Sequence, residues 1–210
     1  MNKLLKVCGM RESGNIRQLI DLSPDMMGFI FYAKSPRYVS FIDKETIRMI
    51  PENIKKVGVF VNEPTDNIRE IAERFGLDII QLHGDETPLE CRKIRNSGYK
   101  VIKAVSIETE SDIYKTSEYE GSCDYFLFDT KTADYGGSGK RFDWKLLNKY
   151  SLGTPYLLSG GISLDLLPEL KRYSDLPQMA GYDINSGFEI KPGIKDIEKI
   201  REFKKHIKNE

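Results

Sequence analysis

The sequence predicts an α/β fold, a single-domain (β/α)8 TIM barrel of parallel strands whose active site lies at the C-terminal face. Three observations carry that prediction. Eight short β-type runs recur along 210 residues. Several are apolar on both alternating faces, as in Phe29-Ile30-Phe31 and Val57-Gly58-Val59-Phe60-Val61, which marks strands of a parallel sheet covered by helices. Between the runs the apolar spacing changes to that of a helix. Eight strand–helix units in so short a chain fit a compact barrel better than an open doubly wound sheet. No linker or low-complexity stretch interrupts residues 1–210, which are read as one domain.

The strands are predicted at 4–8, 26–32, 56–61, 79–82, 101–105, 125–129, 156–159 and 181–185. After the third, Ile68, Ile71, Ala72 and Phe75 form one helical stripe at i, i+3, i+4 and i+7. After the fourth, Thr87-Pro88-Leu89-Glu90 reads as a capping box with proline at the first helical position. After the sixth, Asp143 is the expected N-cap of a helix carrying Trp144, Leu147 and Tyr150. After the seventh, Pro168 requires a first turn that begins near Asp165. The last helix buries Ile197, Ile200, Phe203 and Ile207, and its basic end, Lys204 to Lys208, suits the helix dipole.

Composition excludes several classes of function. Thirty-two basic residues balance thirty-two acidic ones, leaving no basic field for nucleic acid. Apolar residues make up 40% of the chain and charged ones 30%, which is globular and not disordered. The longest apolar runs are about half a dozen residues, far below the roughly 18–20 that span a bilayer. Met1-Asn2-Lys3 leads straight into a strand, so no signal peptide is expected. Cys8, Cys91 and Cys123 are odd in number and have no metal spacing, as suits a reducing cytosol. The expectation is a cytoplasmic monomer or homodimer acting on a small molecule, with neither nucleic acid nor membrane as partner.

In a barrel of this kind the chemistry sits where strands end. Those positions read Cys8, Ser35-Pro36-Arg37-Tyr38, Asn62, Gln81-Leu82-His83-Gly84-Asp85, Asp129, Ser159-Gly160-Gly161 and Asn185-Ser186-Gly187. Nearly all are polar, reactive or glycine. Gly160-Gly161 and Ser186-Gly187, after strands seven and eight, let backbone N–H groups approach a phosphate, although either pair alone would serve a tight turn equally well. Gly136-Gly137-Ser138-Gly139-Lys140 fails as a nucleotide loop, because Arg141 stands where Ser or Thr is needed. It reads as a loop over the active site or as plain surface.

Cys8 alone would be a small buried hydrophobe. Its place at a strand end, with Lys6 and Arg11 nearby, raises it to a candidate base. Asp129 alone could be a loop cap, yet a carboxyl closing the run Tyr-Phe-Leu-Phe sits where loss of water favours the protonated form, as a proton donor needs. Arg37 is either a solvated charge or a bidentate carboxylate holder. His83 reads as a hydrogen-bonded structural histidine more readily than as a base, and Cys91 and Cys123 as structural.

These residues together resemble the phosphoribosylanthranilate isomerase family. The likeness runs in order through Lys-Val-Cys-Gly-Met (6–10), Ser-Pro-Arg-Tyr-Val (35–39), Val-Gly-Val-Phe-Val-Asn (57–62), Gln-Leu-His-Gly-Asp-Glu (81–86), Phe-Asp-Thr (128–130), Gly-Gly-Ser-Gly-Lys-Arg-Phe-Asp-Trp (136–144), Ser-Gly-Gly-Ile (159–162) and Asp-Ile-Asn-Ser-Gly-Phe-Glu (183–189). The resemblance implies an Amadori rearrangement in tryptophan biosynthesis, with Cys8 as general base and Asp129 as general acid. It implies that Arg37 holds the anthranilate carboxylate. It also implies that Gln81, His83, Gly139, Gly160, Gly161, Ser186 and Gly187 surround the substrate. Arg11, Ser159 and Asn185 depart from the family's usual residues, which leaves phosphate affinity and the shape of the first loop open.

The chemistry asks for little else. Opening the furanose needs a proton on the ring oxygen, and forming the enolamine needs removal of the proton on ribose carbon 2. One acid and one base do this with no metal or cofactor. Two rivals stay in view. The related sugar isomerase of histidine biosynthesis would use aspartate at strand one and a second phosphate site, where this chain has Val-Asn-Glu and Gln-Leu-His-Gly. A silent phosphosugar-binding barrel would bind without turnover.

Overall fold

The structure, a computed structural model, describes residues 3–42, 44–130 and 141–208. Eight parallel strands close into a barrel in sequence order: β1 (Leu4–Val7), β2 (Met26–Ile30), β3 (Lys55–Phe60), β4 (Ile79–Leu82), β5 (Lys100–Ile107), β6 (Tyr125–Thr130), β7 (Tyr156–Leu158) and β8 (Met179–Ile184). β1 pairs with β8 to shut the ring, with Lys6 opposite Asp183 and Val7 opposite Ile184. All eight predicted strands are present, with ends shifted by a residue or two. Cys8 thus lies one step past β1, where its N–H still donates to Ile184 O at 2.9 Å.

The crossovers carry α1 (Ser13–Ile20), α2 (Lys44–Arg48), α3 (Thr65–Phe75), α4 (Pro88–Asn96), α5 (Glu110–Tyr114), α6 (Leu167–Leu170) and α7 (Ile197–Lys208). α3 buries Ile68 and Ala72, packs half-buried Ile71 and Phe75 on the core, and stops at left-handed Gly76. α4 starts with the predicted capping box: Glu90 N donates to Thr87 Oγ1 at 3.3 Å, and Thr87 N donates to Glu90 Oε2 at 2.7 Å. A cap of this kind is worth about 1 kcal/mol.

Two crossovers differ from the expected α-helices. After β6 the chain forms a 3-10 helix over Trp144–Lys149, capped by Asp143 Oδ1, which accepts from Lys145 N at 3.0 Å. Trp144, Leu147 and Tyr150 are spaced by threes, and a 3-10 helix stacks such positions on one face. After β7 a 3-10 turn, Leu164–Leu166, leads into α6 with Pro168 in its first turn. A short antiparallel hairpin after β8, β9 (Glu189–Lys191) and β10 (Ile194–Lys195), was not anticipated.

The core has two layers. Between sheet and helices, Leu5, Phe29, Phe60, Phe126, Phe128, Trp144 and Phe203 are all but fully buried, each worth about 1.5–3 kcal/mol. Inside the ring, Met26, Val57, Ile79, Ile102, Leu127 and Leu157 form an apolar plug. Above that plug the interior turns polar, which puts the chemistry at the C-terminal strand ends.

Candidate active site

Cys8, Arg37, Gln81, His83, Asp129, Gly160, Gly161, Ser186 and Gly187 line one cavity at that end of the barrel. Gly139, with the rest of the 136–140 loop, lies outside the described residues.

One wall belongs to β1 and β8. A Cβ on Gly28 of β2 would stand 2.8 Å from Cys8 Sγ and 3.1 Å from its Cα, so only glycine leaves room for the thiol. Lys6 shares the inner face with Cys8, because side chains alternate along a strand. Its ammonium is completely buried and donates to Asp183 Oδ1 at 2.7 Å. Ser159 Oγ donates to Asp183 Oδ2 at 3.2 Å. Burial pulls the Lys6 pKa down, but Asp183 and Cys8 outweigh it and leave the ammonium favoured above its ordinary range. Burial pushes the Cys8 thiol up, while Lys6 and Lys195 oppose that rise and Asp183 adds to it.

The rim above this wall is also ionic. Arg37 donates from Nε to Glu189 Oε1 at 2.9 Å and from Nη2 to Oε2 at 2.7 Å. Lys195 Nζ donates to Glu189 Oε1 at 2.7 Å and to Asn185 Oδ1 at 2.6 Å. Although burial works against it, the Glu189 carboxyl is held below its usual range by Arg37, Lys195 and the Gly193 N–H. Arg37 therefore is neither the free surface charge nor the fully open fork that its sequence suggested. One edge of its guanidinium is committed to Glu189, and a ligand carboxylate would meet the remaining N–H groups of Nη1 and Nη2.

The facing wall is different. Gln81 Nε2 lies 2.9 Å from His83 Nδ1, and His83 Nε2 lies 3.4 Å from Asp129 Oδ2. Gln81 holds the Nδ1 edge of the ring and turns the Nε2 edge toward Asp129. His83 is thus a neighbour of the candidate acid. The Asp129 side chain is 20% exposed and its Oδ1 accepts from Thr130 N at 2.7 Å. Glu86 fixes the loop that carries His83: Oε1 accepts from Asn62 N at 2.8 Å, Oε2 from Gly84 N at 2.9 Å, and buried Lys103 pairs with it at 2.9 Å.

Gly160 and Gly161 have φ of +83° and +66°, a left-handed turn that ordinary side chains resist. A Cβ on Gly187 would collide with the Ile162 carbonyl, so the loops after β7 and β8 lie side by side.

The residues that depart from the family pattern all have partners. Arg11 Nη1 donates to Pro36 O at 3.1 Å and ties the first loop to the Arg37 loop, while Ser159 and Asn185 bond to Asp183 and Lys195. Sequence reasoning missed Asp183, Glu189 and Lys195. The available signal was Lys6, a lysine inside a buried strand, which must find a carboxylate.

The chain matches the family model described as N-(5'-phosphoribosyl)anthranilate (PRA) isomerase over residues 5–206. A relative from Parabacteroides distasonis named N-(5'-phosphoribosyl)anthranilate isomerase is 48% identical over 206 residues, spanning 97% of this chain and 93% of its own. One of the same name from Phocaeicola vulgatus is 49% identical, spanning 98% of both. Phosphoribosyl anthranilate isomerase from Thermotoga maritima superposes with a TM-score of 0.83 at 35% identity, over 99% of this chain and 100% of that one. A phosphoribosyl anthranilate isomerase solved with reduced 1-(o-carboxyphenylamino)-1-deoxyribulose 5-phosphate gives 0.80 at 31% identity, over the same shares.

Proposed function

The chain belongs to the N-(5'-phosphoribosyl)anthranilate isomerase family, and from that premise we propose that Cys8 is the general base and Asp129 the general acid of its reaction. The reaction is the tryptophan-pathway isomerisation of N-(5-phosphoribosyl)anthranilate to 1-(2-carboxyphenylamino)-1-deoxyribulose 5-phosphate. The observation that carries the assignment is that Cys8 and Asp129 face one cavity from strands separated by β7 and β8. An acid and a base on different walls can work on one sugar held between them.

Asp129 gives its proton to the furanose oxygen as the C–O bond breaks, leaving a Schiff base. Cys8 takes the proton from ribose carbon 2, and the enolamine tautomerises to the ketone. The His83 Nε2 faces the carboxylate that Asp129 becomes. The remaining N–H groups of Arg37 pair with the anthranilate carboxylate. The substrate phosphate sits against the backbone of Gly160, Gly161, Ser186 and Gly187, and Gly139 is the further substrate contact that the family resemblance implies. Gln81 orients His83.

No described helix is long and apolar enough to cross a membrane. The enzyme works in the cytoplasm as a monomer or homodimer, with no nucleic acid or membrane partner, and residues 1–210 form the catalytic unit.

The direct test adds phosphoribosylanthranilate and follows the loss of its fluorescence. Binding without that loss overturns the acid–base assignment. Inorganic phosphate should compete with substrate, and Gly161→Asp should raise KM by setting a carboxylate against the anion. A substrate analogue whose phosphate binds away from the β7 and β8 loops would remove the glycine assignment.

A further inference from the structure

The wall that carries Cys8 holds more charge than an acid–base pair uses. Lys6 lies two residues before Cys8 on the same inner face, fully buried, with Nζ 2.7 Å from Asp183 Oδ1. Asp183 on β8 is held on its other oxygen by Ser159. Lys195 on β10 and Arg37 in the loop after β2 both grip Glu189 on β9, and Lys195 also acts on the thiol. Across the cavity stand His83 and Asp129. Three cations, Lys6, Lys195 and Arg37, thus meet two carboxylates, Asp183 and Glu189, and each of these side chains is less than a tenth exposed. An unbalanced buried charge is costly. The cluster is short of one negative charge, and Cys8, on the same inner face as Lys6, is the group beside it able to supply one.

We propose that Lys6 is a positioning residue for the reaction, its sealed ammonium being the counter-ion that holds the Cys8 thiolate ready for the proton of ribose carbon 2. The proposal rests on the reading of Cys8 as the base. Cys8 gives its own proton to solvent before attack. The proton taken from carbon 2 restores the thiol, and Lys6 stays protonated throughout. Burial alone favours the neutral thiol, so an adjacent fixed cation is what a base in this position needs.

Lys6 could instead serve only to neutralise Asp183, and two variants separate the roles. Lys6→Gln removes the cation and leaves Asp183 bare. Lys6→Gln/Asp183→Asn removes both charges and keeps the shapes. Cys8 ionisation is read from the pH dependence of its alkylation by iodoacetamide, resolved by mass spectrometry from Cys91 and Cys123. In parallel, kcat and KM are measured from pH 6 to 10.

Both variants should move Cys8 ionisation up by at least about one pH unit, which is tenfold less thiolate. At pH 7 kcat should fall by about tenfold and recover as pH rises, while KM stays near wild type. A double variant with the wild-type profile would overturn the proposal, because Lys6 would then matter only to Asp183. Unchanged ionisation in a folded Lys6→Gln would do the same. If the single variant does not fold, the double variant decides. If alkylation shifts and kcat does not follow, Cys8 is not the base and Lys6 loses its part in the chemistry.

Discussion

The two walls of the cavity hold their reactive groups by opposite means. The Cys8 wall is built of buried ions: Lys6 pairs with Asp183, and Glu189 pairs with both Lys195 and Arg37. The Asp129 wall is a single file, Gln81 to His83 to Asp129, ending in a carboxyl that is one-fifth exposed. A thiol is a weak acid, so making it a base inside a dry wall requires fixed charge around it. A carboxyl that must shed and regain a proton is served by contact with solvent and one ring nitrogen beside it. On the proposed roles, the base is held by electrostatics and the acid by access.

The largest effect should come from removing either reactive group. Cys8→Ser and Asp129→Asn should each lower kcat by about 10²–10⁴-fold with substrate affinity kept within a few fold, measured by steady-state fluorescence. Near-wild-type turnover by either one removes that residue from the mechanism and the contrast with it.

Next in size is Arg37, on the rim of the ionic wall. Arg37→Ala should raise KM by about 10- to 100-fold, the value of a charge-assisted pair, and Arg37→Lys by less, since a point charge replaces a fork. An aniline analogue without the carboxylate should bind wild type poorly and lose little more in Arg37→Ala. If the alanine variant still discriminates against that analogue as strongly as wild type does, Arg37 serves Glu189 alone.

The smallest effect should be on the acid wall. His83→Asn removes the ring nitrogen facing Asp129 and should lower kcat by about tenfold with KM nearly unchanged. Inactivation as deep as that of Asp129→Asn would make His83 the proton donor and reverse the roles on that wall.

How legible each wall was in the sequence follows from the same difference. Strand ends are local, so Cys8, Gln81, His83 and Asp129 could be read from apolar runs and where they stop. The barrel itself was legible because eight short runs, several of them apolar on both faces, admit few architectures. Partners such as Asp183 and Lys195 were not, since the bonds from Lys6 to Asp183 and from Asn15 to Lys195 join residues 177 and 180 positions apart. The β9–β10 hairpin was missed because two and three residues are too few to show a period. The helix after β6 was read as α, although the spacing of Trp144, Leu147 and Tyr150 by threes was already present.

The pairing of Lys6 with Asp183 also bears on how the molecule reaches its working form. These two charges meet only across the seam where the last strand of the ring joins the first. A chain with seven strands in place would leave Lys6 at the open seam without its carboxylate, so half-closed rings lack this pair. The surroundings of Cys8 are therefore complete only once residues from both ends of the chain have met. During refolding, the return of turnover should report seam closure and lag behind helix content measured by circular dichroism.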